Sequence, residues 1–381
     1  MSYPQESFTQ TVLTEGSLIH GRRDAVSFNT VFYQLEVLKK TGRYEAFKLQ
    51  WHPSYSDPSD TWPVPKHLFW DSDVAKWIEG ACYLLHTQPH TQIESAIHDL
   101  VHMIATAQQV DGYINIHYTV VAPGQRFTNL RDMHELYNAG HLIEAALAHN
   151  ALFHNDHLLG PIVKYVALLS RTFGPNTGQK HGYPGHPEIE LALLRLYHRT
   201  QDPTHLALAR YFITERGNAR GVNGSTHYYE AEAAARGDDP NKRPIYWPGR
   251  SALWYYQAHA PIVEQTSIEG HSVRAVYLFT AATDLVRHGQ MNSKSSPASS
   301  DSEKLLAAQR RLWDNMVQRK MYVTGGIGAI KQYEGFGQDY FLPQGTEEGG
   351  CYAETCAGIG VMMWAERLLQ VIIASSPSSL A

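Results

Sequence analysis

Apolar residues return every three or four positions through most of this chain, and short runs of Pro, Gly and Ser break that recurrence into segments. The pattern is that of amphipathic helices. In DSDVAKWIEGACYLLHT an Asp or Ser cap precedes apolar positions at helical spacing. EIELALLRLYHRT and THLALARYFITERG pair as two helices joined at QDP, the second ending at Gly217. HSVRAVYLFTAATDLVRH follows Thr266 and Glu269, which have capping-box spacing. Strand signals are few: GYINIHYTVV at 112–121 and KMYVTGGIG at 320–328. The pattern predicts a chain that is all-α in the main.

A weak internal period runs through the helices. Gly-His opens a helix at 140, 185 and 270, and CAGIGVMMWAERLL begins a similar one at 356. The intervals of 45, 85 and 86 residues are one unit and then two pairs of units near 43. A unit of that length houses two helices and their turns, so the chain reads as stacked helical hairpins. Closed into a ring they make an α/α toroid, in which the Gly-His helices are alternate members whose N-termini meet at one mouth. Left open they make a solenoid. Three segments interrupt the pattern. PSYSDPSDTWPVPK (53–66) and RGDDPNKRPIYWPG (236–249) mix aromatics with prolines and suit lids, and HGQMNSKSSPASSDSEK (288–304) suits a surface loop.

Composition narrows the chemistry. With 381 residues and 43% hydrophobic content the chain can bury a large core, as one big domain or two ordinary ones. Its 32 Lys and Arg against 37 Asp and Glu give no basic excess, which argues against nucleic acid or an anionic membrane as partner. The start lacks a basic segment followed by an apolar core, and no run approaches the roughly 18 apolar residues of a membrane span, so a cytoplasmic location is expected. Three cysteines cannot all pair within one molecule, which suits a reducing compartment. The chain is rich in His (21), Tyr (22) and Trp (8). Ring faces with polar tips suit sugars, whose C–H faces stack on aromatics while their hydroxyls need donors and acceptors.

Several residues could carry that chemistry. His134, Asn138 and His141 are spaced four and three apart, which would put them on one face of a helix directed at a water-filled centre. A solvated outer face gives the same spacing. His186 precedes Pro187, which suits the first position of a helix, and His271 falls in the first turns of another. Alone each reads equally as a core or capping histidine, but a repeat would bring His134, His186 and His271 together, and neutral imidazoles both donate to and accept from hydroxyls. Glu334 stands among Tyr333, Phe336 and Tyr340 in a Gly-rich loop. Such surroundings predict a raised pKa and a general acid, against the plainer reading of an ordinary loop glutamate. In ETC, Glu354 and Cys356 point about 200° apart on a regular helix, so they share a ligand only where a helix begins. Thr355 as N-cap would put Cys356 at the first helical position, where a thiolate is stabilised. Zinc wants three or four ligands, so on chemistry alone the pair favours a buried structural cysteine.

Taken together and in order, DGYIN, TNLRDMHELYNAGHLIEAA, GHPEIELAL, GHSVRAVYL, MYVTGGIG and YAETCAGIG resemble glycoside hydrolase family 127, the β-L-arabinofuranosidases, from about residue 20 to 370. The resemblance implies an (α/α)6 six-hairpin toroid over 20–374, between an N-terminal extension at 1–19 and a frayed tail at 375–381. It implies retaining hydrolysis of a terminal β-L-arabinofuranoside by a zinc-held cysteine thiolate and a glutamate acid/base. Carried onto this chain, YEGFG makes Glu334 the acid/base, ETC makes Glu354 and Cys356 zinc ligands, and His134, His186 and His271 match the sugar contacts.

The sequence departs from the family in one respect. Members supply two adjacent cysteines well downstream of ETC, one of them the nucleophile, and then add β-sandwich domains. These residues run 25 positions past Cys356 and contain no Cys-Cys pair, so the family's nucleophile is expected to be absent and the zinc site incomplete. Cys351, in an inserted GTEEGG loop, is an extra sulfur that could complete three ligands, and the insert alters the spacing of Glu334 and Glu354. A water-activating route would need a base about 6.5–9.5 Å from Glu334, for which Glu354 is the candidate. The rivals are a carbohydrate-binding toroid or fragment without turnover, and an α/α-toroid epimerase or lyase using the histidines as acid and base. Missing β-sandwich domains would leave an apolar patch that favours homo-oligomers.

Overall fold

The computed structural model describes residues 3–57, 64–221, 224–239, 252–292, 300–345 and 350–374. The tail from 375, much of both expected lids and the 293–299 stretch lie outside the described residues. Among those described there are helices and no strand, in line with the all-α expectation. No described helix is long and apolar enough to cross a membrane.

Two compact units share the chain: residues 1–127 with 137–171, and residues 128–136 with 172–381. In the first, α1 (Leu18–Ala25) and α2 (Val31–Lys40) precede the pair α3 (Trp70–Leu85) and α4 (Thr91–Ala107). Helices α5 (Glu135–Phe153) and α6 (Leu159–Thr172) follow. The α3 and α4 faces carrying Ile78, Cys82, Leu100 and Ile104 are fully buried. The strand expected at 112–121 does not form. Asn115 accepts from the Tyr118 N–H at 2.9 Å, and Thr119 returns a bond to the Asn115 carbonyl at 2.5 Å, so 117–121 winds into a π-helical turn. The expected polar stripe fails too. His134 precedes α5 with φ 44°, Asn138 donates to the Leu68 carbonyl at 2.8 Å, and His141 is buried against Tyr137.

The second unit holds α7 (Ile189–Thr200), α8 (Pro203–Glu215), α9 (Tyr228–Arg236), α10 (Ser272–Asn292), α11 (Ser300–Asn315) and α12 (Thr355–Ala374). The α7–α8 hairpin forms as expected: Gln201 turns left-handed, Asp202 caps through the Thr204 N–H at 2.9 Å, and Pro203 opens α8. Helix α10 packs on α12, where Trp364 is fully buried against Phe279 and its indole N–H meets Gln309 at 3.0 Å. Each such ring contributes roughly 1.5–3 kcal/mol by burial. The expected capping box at Thr266 and Glu269 is displaced, because α10 starts only at Ser272 and is capped by His271. The strand expected at 320–328 is a tight reversal. Tyr322 donates to Gly326 at 2.9 Å and Met321 bridges only Ile327, so the segment's backbone groups are consumed locally.

Candidate functional site

Three segments of the second unit are pinned by backbone contacts that admit no side chain. A Cβ on Gly185 would lie 1.8 Å from the Arg131 carbonyl oxygen, and the Gly185 N–H donates to Leu130 at 2.9 Å. Gly270, at φ 79°, leaves only 2.4 Å between a would-be Cβ and the Trp254 carbonyl, and its own carbonyl accepts the Phe336 N–H at 2.9 Å. The glycines at 185 and 270 thus permit the contacts that deliver His186 and His271. Rings of His134 and His186 stand 5.6 Å apart, and those of His186 and His271 5.7 Å. A buried ion pair secures the 183–190 segment from below: Arg216 binds Glu190 at 3.0 Å and the Pro184 carbonyl at 2.6 Å.

Hydrogen bonds assign the tautomers. His271 Nδ1 accepts from the Arg274 N–H at 3.3 Å, so the neutral ring carries its proton on Nε2 and donates to Glu334 Oε2 at 3.0 Å. His134 and His186 use Nδ1–H on the carbonyls of Asp132 and Pro187, both at 2.9 Å, which leaves Nε2 of each as an acceptor. Burial, then the Arg274 charge, pushes His134 down to about 3 and His186 well below its usual value; burial lowers His271 too. All three are neutral at physiological pH.

Glu334 sits at φ 55°, its carbonyl taking the Ser272 N–H at 3.0 Å and hydroxyl at 2.8 Å. The side chain is 44% exposed, and the Tyr352 hydroxyl donates to Oε1 at 2.9 Å. The His271 bond, with help from Tyr352 and Arg274, holds this carboxyl below the usual carboxylate range. The raised pKa expected from the aromatic neighbours is therefore corrected. Tyr340 is exposed, and Tyr333 turns its hydroxyl to the Phe336 carbonyl at 3.1 Å.

Arg274 is the residue that sequence reasoning missed. It is buried, donates to the Gly185 carbonyl at 3.1 Å, reaches His134 Nε2 at 3.5 Å and stacks on Tyr255 and Tyr256 at 4.8 and 5.1 Å. Among the described residues its partners are a carbonyl, an imidazole and two ring faces, with no carboxylate. Its one sequence signal is its place three residues after His271 in GHSVR. Tyr352 was missed as well.

Helix α12 begins at Thr355, and the Glu354 carbonyl accepts the Gly358 N–H at 3.2 Å, so Glu354 rather than Thr355 is the cap. Cys356 is exposed, which removes the buried structural reading. The charges of both Glu354 and Cys356 act on Tyr352, whose hydroxyl is raised chiefly by burial. Cys351 is exposed and hydrogen-bonds to Tyr322, and residues 346–349 of the insert lie outside the described residues. Among the described residues no three of His, Cys, Asp and Glu gather to hold a metal. Glu354 and Cys356 fit as part of a zinc donor set and fall short of a whole one.

Residues 13–375 match the family described as the catalytic domain of β-L-arabinofuranosidase, GH127. A non-reducing end β-L-arabinofuranosidase of Bifidobacterium longum subsp. longum is 35% identical over 308 residues, which are 80% of this chain and 43% of that protein. The solved structure of a GH127 β-L-arabinofuranosidase from Geobacillus stearothermophilus T6 aligns with a TM-score of 0.80 at 36% identity, covering 95% of this chain and 53% of that one. A GH127 β-arabinofuranosidase aligns at 0.75 with 32% identity, covering 95% and 50%. The chain spans about half the length of these relatives.

Proposed function

This chain belongs to glycoside hydrolase family 127, and from that premise we propose that it removes a terminal β-L-arabinofuranosyl unit from a small carbohydrate, with Glu334 as acid/base. The observation that carries the reading is the Glu334 carboxyl held by His271 and Tyr352 beside the His134–His186 pair. The neutral rings of His134 and His186 suit sugar hydroxyls, with Arg274 sharing the His134 Nε2 at 3.5 Å, and the His271 Nε2–H orients the carboxylate. In the ligand-free chain Glu334 is an anion, ready to take a proton from an attacking hydroxyl. To protonate a leaving oxygen it must first gain a proton, which displacement of water by a bound sugar favours by penalising the charge.

We assign Glu354 and Cys356 as two ligands of a zinc ion whose other ligands lie outside the described residues. Bound zinc would keep Cys356 as a thiolate. No Cys-Cys pair occurs in these residues, so the attacking group is left unassigned. A cytoplasmic location, and self-association through exposed apolar residues of α12 such as Met362 and Leu369, belong to the same reading.

The test is nitrophenol release from p-nitrophenyl β-L-arabinofuranoside, with zinc measured in the same preparation. Turnover by the wild type is expected, with a fall in Glu334→Gln of about 10²–10⁴-fold on a β-L-arabinofuranosyl disaccharide, whose leaving oxygen needs the proton, and a smaller fall on the nitrophenyl glycoside. Disaccharide cleavage that survives Glu334→Gln but falls in His186→Ala or His271→Ala would instead favour histidine acid/base chemistry. A second reading, carbohydrate binding without turnover, draws on Glu334 being ionised with a donor on each oxygen. It requires L-arabinose binding that survives Glu334→Gln, and no release.

A further inference from the structure

Behind the Glu334 turn lies a separate cavity of about 250 Å³. Tyr333 and Phe336 line it, while Glu334 between them reaches the other way to His271. Trp254 meets Tyr333 edge-on at 5.1 Å and adds a third ring. The polar side of the wall is Glu269, Lys320 and Asp339. Lys320 is only 5% exposed and is fixed by the Ile268 carbonyl at 2.8 Å and by Asp339 at 3.8 Å. Asp339 is itself held by Arg319 at 2.8 Å.

We propose that this cavity is a second carbohydrate site, taking one neutral saccharide unit. Lys320 and the neighbouring Arg319 both answer Asp339, so with Glu269 the cations and carboxylates around the cavity are equal in number and a neutral ligand fits. Aromatic rings together with fixed donors and acceptors are what a ring with an apolar face and a hydroxyl edge requires. The volume is just under the roughly 300–1,000 Å³ of clefts that take drug-sized ligands, so it suits a single ring. Its two walls are the segment leading into His271 and the turn carrying Glu334. An occupant therefore rests on the same backbone that places the acid/base, and binding here steadies that turn.

The inference rests on the carbohydrate reading only for its choice of probe. The experiment is calorimetric titration of the full chain with L-arabinose, D-xylose and D-galactose, repeated in His186→Ala, which disables the proposed catalytic pocket. At least one sugar should still bind His186→Ala with one equivalent. Adding Glu269→Gln or Asp339→Asn to that background should weaken it about tenfold or more, with circular dichroism unchanged. Loss of all sugar binding in folded His186→Ala, or residual binding indifferent to both wall variants, overturns the second site, and the catalytic reading still stands on nitrophenol release by the wild type. Binding retained in His186→Ala by a chain with no release sinks the catalytic reading alone.

Discussion

The corner around Glu334 and the corner around Cys356 both act on Tyr352, and they are built to different degrees. At the first, both carboxylate oxygens have donors, and one of those donors is itself fixed, because His271 Nδ1 is occupied by the Arg274 N–H. At the second, a carboxylate and a thiol stand at the start of α12, the thiol exposed, with no third donor gathered among the described residues. The first is assembled from segments up to 140 residues apart, as the His134 to Arg274 contact is, whereas the second is three consecutive residues. Contiguity makes a motif easy to read and says little about how much of a site it contains.

The sharpest way to break this contrast is to perturb each corner and compare. Arg216→Met strands Glu190, which is fully buried, beneath the segment that carries His186. Removing one member of such a pair costs about 3–5 kcal/mol. Cys356→Ser, at an exposed position, should stay within about 0.5 kcal/mol. Urea unfolding of the two variants measures both. Equal losses would mean that the Cys356 corner is as structurally committed as the other.

Acid should act next most strongly, and on the histidines. Burial holds His117, His149, His227 and His288 down to about 4 and His134 to about 3, against an unfolded value near 6.5. Between pH 6.5 and 4 the unfolded chain therefore binds more protons, and stability falls with pH. Burial raises Asp71 and Glu232 to about 7, which opposes the loss, but two groups do not offset five. Urea midpoints should drop steadily from pH 7 to 4.5. A flat profile would show that these imidazoles are hydrated in solution.

The helices were legible because a period near 3.6 spans long segments and survives errors at the ends. The ends themselves were not: α5 and α7 begin one and two residues after His134 and Pro187, which moves His134 out of the stripe it was expected to share. Both strand expectations failed where chain reversals, side-chain captures at Asn115 and Thr119 or a tight turn at 322–326, used up the backbone groups. The pairing of His186 with His271 was legible through the repeated Gly-His pair, whose glycines permit the close backbone contacts, whereas the Gly-His pair at 140 delivers His141 elsewhere and His134 joins from just before α5. The ionisation of Glu334 was not. Its neighbours in sequence are aromatic, but the groups that set its charge lie 63 and 18 residues away, at His271 and Tyr352.

The smallest expected effect is also the most specific to the built corner. Tyr352→Phe keeps the ring and deletes one donor to Glu334 Oε1, leaving the His271 bond in place. With one fewer hydrogen bond to the charged form, the Glu334 pKa should rise toward the ordinary carboxylate value, though not to it, because His271 is the larger cause of its depression. If protonated Glu334 is the donor to the leaving oxygen, kcat/KM falls as pH rises through that pKa, and in Tyr352→Phe this fall should move to higher pH. Hydrolysis of a substrate whose leaving group needs no proton should show no such shift. A profile that stays put with both substrates would mean that Tyr352 touches Glu334 without setting its ionisation, and the charge on the acid/base would then be the work of His271 and Arg274 alone.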